Sequence, residues 1–377
     1  MNFKFLLVLA LLLMMAACGG ESPSGSSDLL SETSSSSEPF SSSSKISSSS
    51  ESSNTSSENS SSSEKPEFQV LLENDTIKSI LGSDHFKVVF RDDDEETIRM
   101  IEYNAGNLKH KVLVQGMDVY HPTFSPDGRK VAFSSAFEGA PFDSRLYVLD
   151  LDNAKKIDSL DVRSAAIPRW YVTSEGDTVI MYVDYTGSDQ EEAWLSSATW
   201  QVVYKGGKFG KPKKVVDRSY NGGIAFDGSF VATGAPRLYF HRLADDKDVV
   251  EDRYGDEQVC NVSISRDSSK LISFLETAGK MGKEFTHDKT GIWHHFVFYQ
   301  DETGKIVNAI ETTGTDTDVF DHVEWLDGIP VQIAIISSSK QAGYFHIGLI
   351  DYAKSKVHLL VESNNIFMWH PDLWFEH

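Results

Sequence analysis

Apolar and polar positions alternate with period two in short bursts from Phe86 to the end of the chain, the pattern of strands that bury one face. The cleanest burst is Tyr120–Leu151, YHPTFSPDGRKVAFSSAFEGAPFDSRLYVLDL. Pro122–Phe124 is a short entry strand, and Ser125-Pro126-Asp127-Gly128 places Pro and Gly where a type I turn wants them. Val131–Ser134 and Arg145–Leu151 follow as second and third strands. A sheet this small cannot bury both faces, so the pattern predicts further copies stacked beside it.

Copies are present. Ile167-Pro168-Arg169-Trp170 leads into Thr178–Val183 and Thr199–Tyr204, and a compact version runs from Gly222 through Phe226-Asp227-Gly228 to Phe230–Ala232 and Arg237–Leu243. Asn261–Ile264 precedes Ser265–Lys270 in the turn position, then Leu271–Leu275, Trp293–Gln300 and Ile306–Ile310. His322–Trp325 opens a fifth copy with Val331–Ile336, Tyr344–Asp351 and Val357–Val361. Two remnants complement each other. Phe86–Arg91, Thr97–Asn104 and His110–Gln115 lack a first strand, and Met368–Trp374 is a first strand without a second. Pairing them removes two exposed edges at once. The prediction is an all-β fold, a six-bladed β-propeller closed by its N- and C-terminal strands. A seven-blade alternative needs a hidden repeat in Leu243–Cys260 or Phe68–Ile80.

The unit of Ser-Pro-Asp-Gly, a strand ending Phe133-Ser134 and the strand Leu146-Tyr147-Val148-Leu149-Asp150 resembles the TolB-like propeller repeat. That resemblance implies a platform for protein partners of the cell envelope. The repeat is also shared by oligogalacturonate lyases, which hold a metal with a histidine cluster in the channel. This sequence does not match their base and ligand set residue by residue, and its expected blade count differs.

The N-terminus changes the picture of where such a domain works. Lys4, the apolar run Phe5–Met15 and Ala16-Ala17 form a signal peptide (residues 1–17), too short to span a bilayer, which takes about 20 apolar residues. Met15-Ala16-Ala17-Cys18 resembles a bacterial lipobox, which implies a diacylated Cys18 and, with Gly19 next, the outer membrane. Residues 18–66 are dominated by Ser and are nearly devoid of apolar residues, so they form a disordered tether. A coil of that length spans about 35–40 Å. Residues 67–377 are the propeller, expected as a monomer.

A net charge of −21 argues against nucleic acid as a partner, since the sequence shows no basic stripe to release counterions. Cys260 alternates in phase with Val262 and Ile264 and is expected as a small core residue.

Candidate chemistry gathers at one mouth of the channel. Three residues before the buried anchor of each first strand stand His121, His322 and His370, on consecutive blades. Structural or ligand-contacting roles are weighed there against a divalent metal, since imidazole suits zinc, copper, iron and nickel. The reading assigns no cofactor, with that metal as the alternative. Asp321 and Asp372 lie close enough in sequence to support the imidazoles. Loops 136–144, 187–198 and 277–291 enter the same face and offer Trp194 and His287 as contacts, while Trp200 and Trp293 open strands. No Gly-x-Ser-x-Gly elbow, phosphate loop or paired zinc cysteines occur. The expectation is a lipid-anchored, non-catalytic interaction platform, its alternative a lyase or glycan-binding propeller using the channel mouth.

Overall fold

The computed structural model describes residues 67–136, 144–153, 156–162, 164–184, 196–217, 223–234, 237–243, 249–252, 259–276, 294–312, 318–338, 345–363 and 366–377. The expected signal peptide, Cys18 and the tether lie outside them.

In chain order the elements begin with β1 (Phe68–Val70) and α1 (Asn74–Leu81), then β2 (His85–Asp92), β3 (Thr97–Asn104) and β4 (Asn107–Val114). The first repeat holds β5 (Tyr120–Phe124), β6 (Lys130–Ser134), β7 (Leu146–Asp150) and β8 (Ile157–Ser159). The second holds β9 (Ala166–Val172), β10 (Thr178–Val183), β11 (Thr199–Lys205), β12 (Lys208–Phe209) and β13 (Lys213–Val216). The third has β14 (Phe230–Gly234), β15 (Leu238–Arg242) and β16 (Val249–Asp252). The fourth comprises β17 (Val259–Ile264), β18 (Ile272–Glu276), β19 (Phe296–Gln300) and β20 (Ile306–Glu311). The fifth comprises β21 (Asp318–Trp325), β22 (Val331–Ser338), β23 (Phe345–Asp351) and β24 (Lys356–Ser363), and β25 (Met368–Phe375) ends the chain.

Each repeat is an antiparallel meander. β25 pairs with β2 from Phe86↔Phe375 to Asp92↔Met368, so the last strand of the chain heads the sheet β25-β2-β3-β4. Five sheets among the described residues therefore have four strands or more, and these are full blades. The expected count of six full blades is corrected at the third repeat, where β14-β15-β16 has three strands and its leading segment contributes only the bridge Ile224↔Val231. Gly223 at φ 89° breaks the extended backbone there. The seven-blade alternative is corrected as well. Residues 249–252 form β16, the outer strand of the third sheet, while Phe68–Val70 adds to the outer edge of β24 and 74–81 is helical.

Apolar clusters bridge neighbouring sheets. Val89 and Ile98 of the terminal sheet meet Phe124 and Phe133 of the first, Val148 meets Trp170 and Ile180, and Met181 and Val183 meet Val231. Phe240 meets Phe274, and Leu275 meets Phe320 and Ala334. Between the fifth and terminal sheets, α1 inserts Ile77, Ile80 and Leu81 beside Phe86, Ile333 and Leu349. Burial of each such side chain is worth about 1.5–3 kcal/mol, which makes this helix a clasp across the seam. Cys260 is buried with Leu271 and Leu275, as its alternation predicts.

The Ser125-Pro126-Asp127-Gly128 turn is scaffold. Gly128 lies at φ 62°, and a Cβ there would meet the Trp374 ring at 2.3 Å. Trp374 donates its indole N–H to the Pro126 carbonyl at 3.1 Å, so β25 grips the turn of the neighbouring blade.

Candidate functional site

First strands share one local device. The ladder β5/β6 slips between Tyr120 and Thr123, β17/β18 between Cys260 and Ser263, and β21/β22 between Phe320 and His322. β9 and β25 carry the same irregularity against their partners. His121, Ile167, Asn261 and His370 occupy the bulge with φ of 51°, 51°, 49° and 46°. His and Asn tolerate this left-handed region, whereas a β-branched Ile167 there is strained. Pro122, Pro168 and Pro371 follow three of the four, at positions where the interrupted ladder asks for no N–H.

The bulges bring the three predicted histidines together. The His121 and His370 rings stack with centroids 4.1 Å apart, and His322 meets His370 edge-on at 5.4 Å. His121 is 8% exposed and His370 6%. His322 Nδ1 lies 3.2 Å from Asn261 Oδ1 and its Nε2 3.6 Å from Glu324. Burial pulls His121 down to about 3, helped by facing His322, Arg169 and Arg91. Burial likewise lowers His322 to about 4 against the pull of Glu324, and holds His370 well below the ordinary imidazole range. All three are neutral at pH 7. Among the described residues no three His, Cys, Asp or Glu side chains stand in a geometry suited to a metal ion, and the stacked pair as it stands does not fit one.

Two residues further along each first strand, on the same face by period two, lies a column the sequence reading missed: Thr123, Arg169, Ser263, Glu324 and Asp372. Arg169 reaches across from the second blade to Glu324 of the fifth and binds it with both guanidinium Nη atoms, the two side chains being 14% and 13% exposed. Glu324 also accepts from the Ser263 hydroxyl at 2.8 Å, and that oxygen takes the Trp325 N–H at 3.2 Å. Burial resists ionisation of Glu324, but Arg169 outweighs it and leaves the carboxyl below its usual range. Asp372 accepts from Phe124 N–H at 2.7 Å and the Thr123 hydroxyl at 2.9 Å. It ties β25 to β5 instead of supporting an imidazole. Burial pushes it up to about 6, opposed by the Phe124 N–H and Arg266. Burial alone pushes Asp321 up to about 7, and its backbone carbonyl takes the Asn261 amide at 2.5 Å. Arg266 bonds Asp327 at 2.5 Å.

Cavities flank this layer. One is lined by the histidines, Arg169 and Glu324, and one by Trp325, Asp327, Trp374 and His377. Arg266, Trp325 and Asp372 line both. Of the loop candidates, Trp194 and His287, with Trp293, lie outside the described residues. Trp200 is half-buried and donates to Asp184 at 2.9 Å.

Radially arranged four-stranded meanders whose first strands converge on a shared axis define the β-propeller. The fold is similar to that of TolB: the structure of TolB from Acinetobacter baumannii superposes with a TM-score of 0.53 at 12% identity, over 80% of this chain and 70% of that one. A TolB-type structure from Agrobacterium tumefaciens gives 0.47 at 13%, over 78% and 99% of the two chains. An oligogalacturonate lyase in complex with manganese gives 0.41 at 10%, over 73% and 78%. The first of these superpositions, at 12% identity, establishes a shared fold and nothing finer. No sequence family and no curated protein matches the chain.

Proposed function

We propose that this chain is an exported cell-envelope propeller, anchored through an acylated Cys18 in the outer membrane and acting as a monomeric, non-catalytic platform for a protein partner. The observation that carries the reading is how the channel groups are spent. Arg169 is satisfied by Glu324 from across the channel, Asp372 by Thr123 and Phe124, and His322 by Asn261, while the buried His121 and His370 rings stack on each other. A reaction centre keeps a proton donor and acceptor apart and available in a concave site, whereas here the charges are paired into the wall. Function then falls to the rim and outer surfaces, as the resemblance to the TolB-like repeat also suggests. We take the third sheet as a sixth, reduced blade and the ring as closed by β25 on β2; the bridging apolar clusters between successive sheets support that count.

The pocket at the histidine face, lined by Arg169 and Glu324 as well, favours a second reading, a carbohydrate-binding or lyase propeller. Cross-linking in the native envelope separates them. The platform predicts a discrete protein partner recovered with the chain and no release of unsaturated uronides. Uronide release with no captured protein would reverse the assignment.

A further inference from the structure

The second blade carries a feature at odds with the charge of the whole. Residues 199–217 contain five lysines, one aspartate and no arginine, in a chain of net charge −21. β11 and β12 form a two-residue hairpin through Gly206 and Gly207, both at positive φ (61° and 75°), and it pairs Lys205 directly with Lys208. Like charges directly opposite on a ladder destabilise it. Lys205, Lys208, Lys211, Lys213 and Lys214 are all exposed. A sixth amine joins them, since Lys156 Nζ lies where a Cβ on Gly207 would fall, 2.3 Å from it. Acids touch only part of the cluster: Asp158 meets Lys156 at 3.6 Å and Asp217 meets Lys214 at 2.5 Å. Glu175 faces Lys213 through solvent, while Lys205, Lys208 and Lys211 make no ion pair among the described residues.

We propose that this lysine hairpin at the outer edge of the second blade is a docking surface for an anionic lipid bilayer, and that it sets which side of the propeller faces the membrane. Its chemistry favours a surface over a specific anion. Lysine ammoniums act as diffuse, hydrated point charges, while recognition of a single carboxylate or phosphate favours the arginine fork, which is absent here. The patch stands on a two-residue hairpin at the outer edge of the sheet, its lysines exposed. The rest of the acidic molecule is repelled by the same bilayer, so the patch orients it. Lysine also protects exposed sheet edges from pairing, but glutamate would do that equally well, and this allows the two roles to be separated.

The test uses the processed chain, residues 18–377 with C18S so that it carries no acyl group, and vesicles of phosphatidylcholine with or without about 30% phosphatidylglycerol. Sedimentation should show binding to the anionic vesicles only, released by about 0.5 M salt. Lys205→Glu/Lys208→Glu/Lys213→Glu should weaken it on the order of 100-fold, at roughly fivefold per lysine near the surface. Reversal of the exposed Lys78, Lys109 and Lys111 should change it less than threefold per site. Equal losses from the two triple variants, or no binding by the parent chain at low salt, would overturn the proposal. So would lysine-dependent binding to a soluble polyanion such as heparin with none to vesicles. A triple variant that stays soluble and folded by circular dichroism but no longer binds establishes a role beyond edge protection.

Discussion

Removing the Glu324 carboxylate is the sharpest perturbation of the channel. In Glu324→Ala the Arg169 guanidinium, 14% exposed, loses the oxygens that both its Nη atoms engage, and the Ser263 hydroxyl loses an acceptor. Breaking one side of a buried pair costs about 3–5 kcal/mol because the remaining charge is left uncompensated. In a domain of this length that corresponds to a fall in Tm of roughly 5–8 °C. Arg169→Met/Glu324→Leu removes both charges and fills their volume, so it should regain most of the loss, to within about 1–2 kcal/mol of the parent. Urea unfolding of the four corners of this double-mutant cycle measures both numbers. A single-variant cost under about 1 kcal/mol, or additive single costs, would show that the pair is a screened surface contact and that the channel is open to solvent.

Other consequences are as direct. His121 sits near pH 3 folded and about 6.5 unfolded, so the unfolded chain binds the extra proton between these values. Stability should fall as pH drops below about 6.5, and His121→Asn/His370→Asn should flatten that slope in thermal scans; an unchanged slope would place the rings in solvent. Asp372, raised to about 6, acts with opposite sign, its contribution lost as pH rises from about 4 through 6, and Asp372→Asn should remove that component. Gly128→Ala should cost about 2–4 kcal/mol, from both positive φ and the Trp374 ring at 2.3 Å. Gly176→Ala, at φ 83° with nothing within 4 Å, should cost about 1 kcal/mol, and equal Tm losses would deny the Trp374 clasp. Cys18→Ser should move the protein from the membrane to the soluble fraction in about 0.5 M salt, which releases the lysine contact, and continued sedimentation with membranes in that salt would count against acylation.

Turn chemistry made the blades legible in the sequence, because Pro and Gly fall at the hairpins and apolar alternation marks the inner strands. Short outer strands escaped notice: Ile157–Ser159 and Val249–Asp252 are too short to carry a period. Helix α1 was hidden in eight residues whose three buried side chains make sense only against the seam of two sheets. The convergence of His121, His322 and His370 was readable from a common offset to the anchor. The Arg169–Glu324 contact spans 155 residues and joins blades that are not neighbours, so it required the ring itself. Its signal was nonetheless present as the polar column one residue before each anchor.

The central claim is that the histidine mouth is part of the scaffold wall, and the metal content of the processed chain purified from the envelope tests it most directly. The account predicts substoichiometric transition metal, unchanged in His121→Ala/His370→Ala. One tightly held equivalent per chain, lost in that variant, would contradict it and make the mouth a metal centre.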